Sequence, residues 1–268
     1  MRGVIDRRNG WAAANWDHKR AVQCHSASTE LLTVQHIIAG RDINNIGYCV
    51  LAVPGHLTVR SFFMELDPRT TAAMAVHCQG DVIGPTGAFV DFFYQQVTER
   101  RVIDQVSAVL GAVREAGGTV VYTRVAWKPD FSDLDVNSPL LGIVAQSGCL
   151  KEGSELAEIV EPLKPHGDDT VLTHQRIGAF AGTDLDTILR DKGITTLLFA
   201  GVATNASVEG TARVASDLGY RVVIVEDACS AATPEAHEAS INSLGLLAEI
   251  ATADAIRTAL TASVGTTA

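Results

Sequence analysis

With 268 residues, 47% of them hydrophobic and 19% charged, the chain is long enough to bury one substantial core. A net charge of −10 argues against a dedicated nucleic-acid or anionic-membrane surface, and no apolar run approaches the roughly 18 residues of a membrane span. Five cysteines (Cys24, Cys49, Cys78, Cys149, Cys229) lie scattered without a C-x-x-C pair, which suits reduced thiols in a cytoplasmic protein better than a disulfide framework or a zinc site.

Residues 1–63 stand apart from the rest of the chain. They carry a net charge of +3, from seven basic and four acidic residues, so the remainder carries −13. They also hold four of the eight histidines and two of the three tryptophans, yet show no sustained helical or alternating period. The start lacks the apolar core of a secretory signal, and its acidic residues speak against a transit peptide. We therefore expect 1–63 to be an extension outside the fold, and a domain to span 64–268.

From Thr71 strands and helices alternate. Ala72 to Val76 reads as a short buried strand, Val97 to Ala116 as a helix stopped by Gly117 and Gly118, and Thr119 to Val125 as the next strand. The stretch from Ala126 to Lys151 is long and irregular, and is expected to be a lid or subunit-contact loop. A short helix is expected from Glu155 to Leu163, a strand from Thr170 to Thr173, and a helix from Thr183 to Asp191. The central stretch, LLFAGVATNASVEGTA (Leu197 to Ala212), begins as a strand buried on both faces, breaks at Gly201 and turns into a helix with Thr204 and Asn205 as capping types. Arg221 to Val225, a helix from Pro234 to Leu247, a strand at Glu249 to Ala251 and a terminal helix complete the pattern. Six strands separated by helices imply a doubly wound, three-layer α/β/α domain with a mostly parallel six-stranded sheet. Its ligand crevice should lie beyond the carboxyl ends of the strands, where the turn bearing Ser207 begins.

Gly80, Gly84 and Gly87 match neither the dinucleotide fingerprint nor the P-loop, so no nucleotide cofactor is expected. No H-x-H or H-E-x-x-H is present, and Asp130, Asp133 and Asp135 read as a solvated face, so no metal is expected either.

Three segments together carry a resemblance: AVHCQGD (Ala75 to Asp81), THQRIGAFAGTDLD (Thr173 to Asp186) and GVATNASVEGTA (Gly201 to Ala212). They resemble the signature blocks of the isochorismatase-like hydrolases, or cysteine hydrolase superfamily, which includes nicotinamidases and N-carbamoyl amidohydrolases. Matching positions are Gln79 and Asp81 in the first block, Ala179, Phe180, Thr183 and Leu185 in the second, and Gly201, Val202, Thr204, Asn205, Val208, Thr211 and Ala212 in the third. Asp227 and Ala228 also match. The resemblance spans about Thr71 to Ala251.

That resemblance implies an Asp base, a Lys and a Cys nucleophile, with a cis peptide at Val202–Ala203 helping to form an oxyanion hole. Here the three catalytic positions hold His77, His174 and Ser207 instead. A serine hydroxyl needs an adjacent base, and two imidazoles are coherent with that need. The resemblance further implies a small-molecule pocket, for which Gln79, Asp81, Trp127, Arg176, Phe180, Thr204 and Asn205 are candidates, and a homo-oligomer, most simply a dimer. Three readings stay open: a Ser/His hydrolase of a small amide, ester or carbamoyl substrate; isochorismatase-type vinyl-ether hydrolysis with His77 as the acid; and a catalytically silent binding protein. Nicotinamidase is disfavoured, because its metal ligands after the second strand have no counterpart near Trp127. A metal held by His77 and His174 lacks a third ligand other than Asp81.

Overall fold

The computed structural model describes residues 64–264, and before them the backbone of three strands between residues 37 and 61. The chain divides into two units at Met64. In the first unit, β1 (Ile37–Arg41), β2 (Gly47–Val53) and β3 (His56–Ser61) form an antiparallel sheet in that order, with Ile37 opposite Leu51 and Val50 opposite Val59. The sequence led us to expect no regular element here. The runs IIAGR and GYCVLAV lack strict alternation and escape a period-two test, whereas HLTVRS does alternate from His56 to Arg60 and was the readable signal.

The second unit is built on six parallel strands: β4 (Thr71–Val76), β5 (Thr119–Val125), β6 (Thr170–His174), β7 (Thr196–Val202), β8 (Arg221–Ser230) and β9 (Glu249–Ala251), in the order β6-β5-β4-β7-β8-β9. From β4 the chain winds outward to β6, then returns to lay β7 on the other side of β4. The carboxyl ends of β4 and β7 therefore flank the point where the winding reverses, which is where an open α/β sheet leaves a crevice. Both central strands are buried along their whole length, which explains their unbroken apolar runs.

The chain between β4 and β5 forms three helices: α1 (Gly80–Ile83), α2 (Gln95–Glu99) and α3 (Val102–Glu115). Val106, Val109, Leu110 and Val113 of α3 are buried, as the helical spacing predicted. The single helix expected from Val97 to Ala116 is instead broken, because Arg101 takes a left-handed φ of 53°. After β5, α4 (Pro139–Ser147) lies inside the stretch that we read as an irregular loop. Its start was legible, since Ser138 accepts from the Leu141 N–H and Pro139 fills the first turn. The helix expected from Glu155 to Leu163 is two 3-10 turns, Glu155–Ala157 and Glu161–Leu163. The remaining helices are α5 (Leu185–Asp191), α6 (Glu209–Asp217), α7 (Pro234–Leu244) and α8 (Ala253–Val264). Asp227 accepts from the Ala253 N–H at 2.8 Å and so anchors the start of α8. No helix among the described residues is long and apolar enough to cross a membrane.

Gly201 fixes how closely the two central strands approach. Its φ is +122°, and a Cβ there would lie 2.1 Å from the Val76 carbonyl oxygen. Gly201→Ala should therefore lose more than about 4 kcal/mol of stability or fail to fold. Gly111, inside α3 with nothing within 4 Å of its Cβ position, is the control. There, Gly→Ala should add about 0.5–1 kcal/mol, because alanine is the better helix former. Urea unfolding of the two variants checks both signs.

Candidate active site

His77 comes directly after β4 and has a φ of 50°, a left-handed conformation that histidine, like Asp and Asn, adopts more readily than most residues. Its N–H donates to the Thr123 carbonyl at 2.9 Å, extending the β4–β5 pairing by one residue. His174 ends β6. The two imidazoles meet Nε2 to Nε2 at 2.9 Å, both buried. His174 Nδ1 lies 2.9 Å from the Arg176 carbonyl oxygen. A carbonyl can only accept, so Nδ1 carries the hydrogen and His174 Nε2 is bare. His77 Nε2–H must then donate to it, which leaves the lone pair of neutral His77 on Nδ1.

Burial, and then the repulsion that a protonated His174 would exert, hold His77 well below the usual imidazole range. Burial brings His174 down to about 4, against the raising effect of its bond to the Arg176 carbonyl. Both rings are neutral at physiological pH.

Ser207 lies in a helical turn, Thr204–Val208, that leads from β7 into α6. The Val202–Ala203 peptide ahead of it is cis. No side chain caps this turn, so the capping role expected of Thr204 and Asn205 is not observed. Instead Thr211 Oγ1 donates to the Ser207 carbonyl at 2.6 Å and accepts from the Ala179 N–H at 3.2 Å, tying the second sequence block to the third.

His77 and Ser207 line one cleft together with Ala203, Trp127, Arg176 and a wall of apolar side chains. Phe89 and Phe93 come from the segment after α1, Leu140, Leu141 and Val144 from α4, and Leu150 from the chain just after it. Among the described residues, Ser207 bears the only hydroxyl lining the cleft, and none of the hydrogen bonds of the two histidines reaches it. The wall residues were missed in the sequence because they sit in the stretch read as irregular and in a short aromatic segment, Phe89 to Phe93, that was not read as an element although Phe89, Phe92 and Phe93 have helical spacing.

Five of the pocket candidates do not line the cleft. Gln79 is fully buried and its amide is spent on backbone: Nε2 donates to the Val125 and Ala157 carbonyls at 2.8 and 2.6 Å, and Oε1 accepts from the Val125 N–H at 2.8 Å. Asp81 accepts from the Leu150 N–H at 2.8 Å and the Ala88 N–H at 3.3 Å, bracing the far end of the α4 loop. Phe180 stacks on Tyr220, their ring centres 6.2 Å apart. Thr204 bonds to His237, and Asn205 is exposed. The Asp carboxylates of the loop also differ from expectation. Asp133 accepts from the Lys128 N–H and from Gln175, and Asp135 pairs with Arg176 at 3.3 Å, so they fasten the loop. Of the cysteines described, burial pushes the Cys78 and Cys229 thiols up to about 12 and Cys149 to about 11, so all three stay protonated.

Residues 71–255 match the family model for the isochorismatase domain. The chain belongs to the isochorismatase family. It is 32% identical over 182 residues to the isochorismatase family protein YecD of Escherichia coli O157:H7, an alignment covering 67% of this chain and 89% of that one. A crystal structure of an isochorismatase family protein from Desulfovibrio vulgaris subsp. vulgaris str. Hildenborough is 30% identical with a TM-score of 0.63, covering 72% of this chain and 99% of its own. That of N-carbamoylsarcosine amidase from Thermoplasma acidophilum is 25% identical with a TM-score of 0.56, covering 69% and 97%. The family and fold drawn from the three sequence blocks are thus confirmed, and the isochorismatase fold is seen here with its winding reversal beside Ser207.

The neutral histidine pair makes stability depend on pH. An unfolded histidine takes up a proton near pH 6.5, about its free value, while His77 and His174 do so only well below it. Between those values the unfolded state binds more protons, so stability is complete above pH 6.5 and falls as the pH falls, by about 1.4 kcal/mol per unit for each histidine. Urea midpoints should drop between pH 7 and pH 5, and His174→Gln should flatten that dependence; equal wild-type midpoints at the two pH values would contradict it.

Proposed function

We propose that this isochorismatase-family protein hydrolyses a small amide, ester or carbamoyl compound through an acyl-enzyme, with Ser207 as nucleophile and His77 as base. One observation carries the reading: the bond from His174 Nδ1 to the Arg176 carbonyl fixes the tautomers of both rings, leaving Nδ1 as the free basic nitrogen of His77, which lines the cleft with Ser207.

In the first step, Ser207 Oγ bonds to the substrate's carbonyl carbon while its proton passes to His77 Nδ1. The proton then moves from His77 to the departing amine or alcohol as that bond breaks. Water, deprotonated by the same nitrogen, releases the acid and restores Ser207. His174 accepts from His77 Nε2–H throughout, holding the ring and spreading the charge of the transient imidazolium. The turn bearing Ser207 begins directly beyond β7, so its first N–H groups lack an earlier turn to bond and can meet the developing oxyanion.

The low proton affinity of both rings disfavours the acid-catalysed alternative, which needs a protonated group at neutral pH. The cleft's apolar wall favours an uncharged, apolar group on the acyl side, and Arg176, the cation lining it, can face a polar end of the substrate. That a structural relative is an N-carbamoylsarcosine amidase supports cleavage of a C–N bond.

Purified protein should turn over a member of a panel of small amides, esters and N-carbamoyl compounds. On that substrate Ser207→Ala should remove activity, and His77→Ala should lower kcat by about 10²–10⁴-fold. Undiminished turnover by Ser207→Ala would exclude the covalent route.

A further inference from the structure

His237, on α7, is buried and has no part in the mechanism above. Its Nε2 lies 3.0 Å from Arg100 Nη2, and its Nδ1 lies 2.8 Å from Thr204 Oγ1. A guanidinium can only donate, so Nε2 accepts and the ring hydrogen sits on Nδ1, which donates to Thr204. Glu226 Oε1 is 3.7 Å from Nε2, beyond hydrogen-bond range, and does not alter this assignment. Arg100 is itself held by the Cys229 and Glu226 carbonyls, each at 3.0 Å, and by the Glu226 carboxylate at 3.2 Å. On the other side, Ser240 Oγ lies 3.2 Å from the Thr204 carbonyl while its hydrogen goes to the Glu209 carboxylate at 2.5 Å. Thr204 opens the turn that carries Ser207, and that turn has no side-chain cap of its own.

We propose that His237 and Thr204 are a positioning pair: they take over the task of the missing cap and hold the turn so that Ser207 Oγ meets the substrate's carbonyl carbon in line. Arg100 sets the pair's direction by occupying Nε2, so the N–H of His237 has one place to point. Neither residue touches substrate. This proposal rests on Ser207 being the nucleophile, and it explains why a polar threonine in the third sequence block lies outside the cleft. It also gives a use to the break between α2 and α3, since Arg100 ends α2 where the chain turns past β8.

The test pairs two readouts on the full chain. Phenylmethylsulfonyl fluoride would transfer its sulfonyl group to Ser207 Oγ, expelling fluoride as the proton passes to His77, and intact mass reports the rate. Hydrogen exchange of the peptide spanning residues 203–209 reports on the turn without requiring any chemistry. Thr204→Val, which keeps the shape and removes the acceptor, should slow labelling at least tenfold and speed exchange at least tenfold. Thr204→Ser should stay within about twofold of wild type in both, as should His237→Asn, which keeps an N–H near the Nδ1 position. Unchanged exchange in Thr204→Val overturns the proposal, and so does faster exchange with an unchanged labelling rate, which would make the pair structural only. A wild type that resists labelling would remove the nucleophile reading of Ser207 and the positioning role with it, and faster exchange in Thr204→Val would then show only that the pair holds the turn.

Discussion

The contact between Gly201 and the Val76 carbonyl is the constraint on which the rest of the site depends. It sets the spacing of β4 and β7 at the one place in the sheet where the winding reverses, and so sets how far His77 lies from the turn after β7. A side chain at 201 would have to displace backbone, because the obstacle is a carbonyl oxygen already committed to the sheet. The two strands that lead to His77 and to the Ser207 turn are thus registered by main chain against main chain, the least adjustable contact a protein offers.

On that rigid base the electrostatics are sparse. The cleft brings together one imidazole, one hydroxyl and one guanidinium among apolar side chains, with a second imidazole, that of His174, bonded to the first. A carboxylate and an ammonium at the histidine positions, as in the pattern the sequence resembles, would carry opposite formal charges into this space. Two neutral rings carry none, and their protons are arranged by a single backbone carbonyl. The low-dielectric surroundings strengthen that hydrogen bond and at the same time make protonation of either ring costly.

Much of the fold was legible because the strongest local signals are also the global ones. The continuous apolar run at Leu197 to Ala200, the helical spacing of Val102 to Val113 and the glycines that close α3 and α5 all point to the same parallel sheet. The lining of the candidate cleft was legible where residue type and position coincide, as for His77, Ser207, Trp127 and Arg176. It was not legible where a polar residue of the signature blocks turned inward. Gln79, Asp81 and Thr204 have the chemistry of ligand contacts but bond to backbone or to another side chain, and residue type alone cannot separate a brace from a binding group. The apolar wall was hidden for a different reason: α4 is nine residues long, too short for periodicity to stand out from a stretch rich in glycine and proline.

The bracing of the segment between β5 and β6 has its own consequence. This segment supplies much of the apolar wall, and it is fastened by Asp81 to the Leu150 N–H at one end and by Gln175 and Arg176 to Asp133 and Asp135 at the other. None of these attachments involves His77 or Ser207. The apolar wall and the turn that bears Ser207 therefore stand on separate supports, so mutation can reshape Leu140, Leu141 or Val144 while β4 and β7 keep their register; Arg176 is the shared point, since its side chain fastens the segment and its carbonyl holds His174. Such a division lets one scaffold vary the shape of its cleft without disturbing the sheet beneath it.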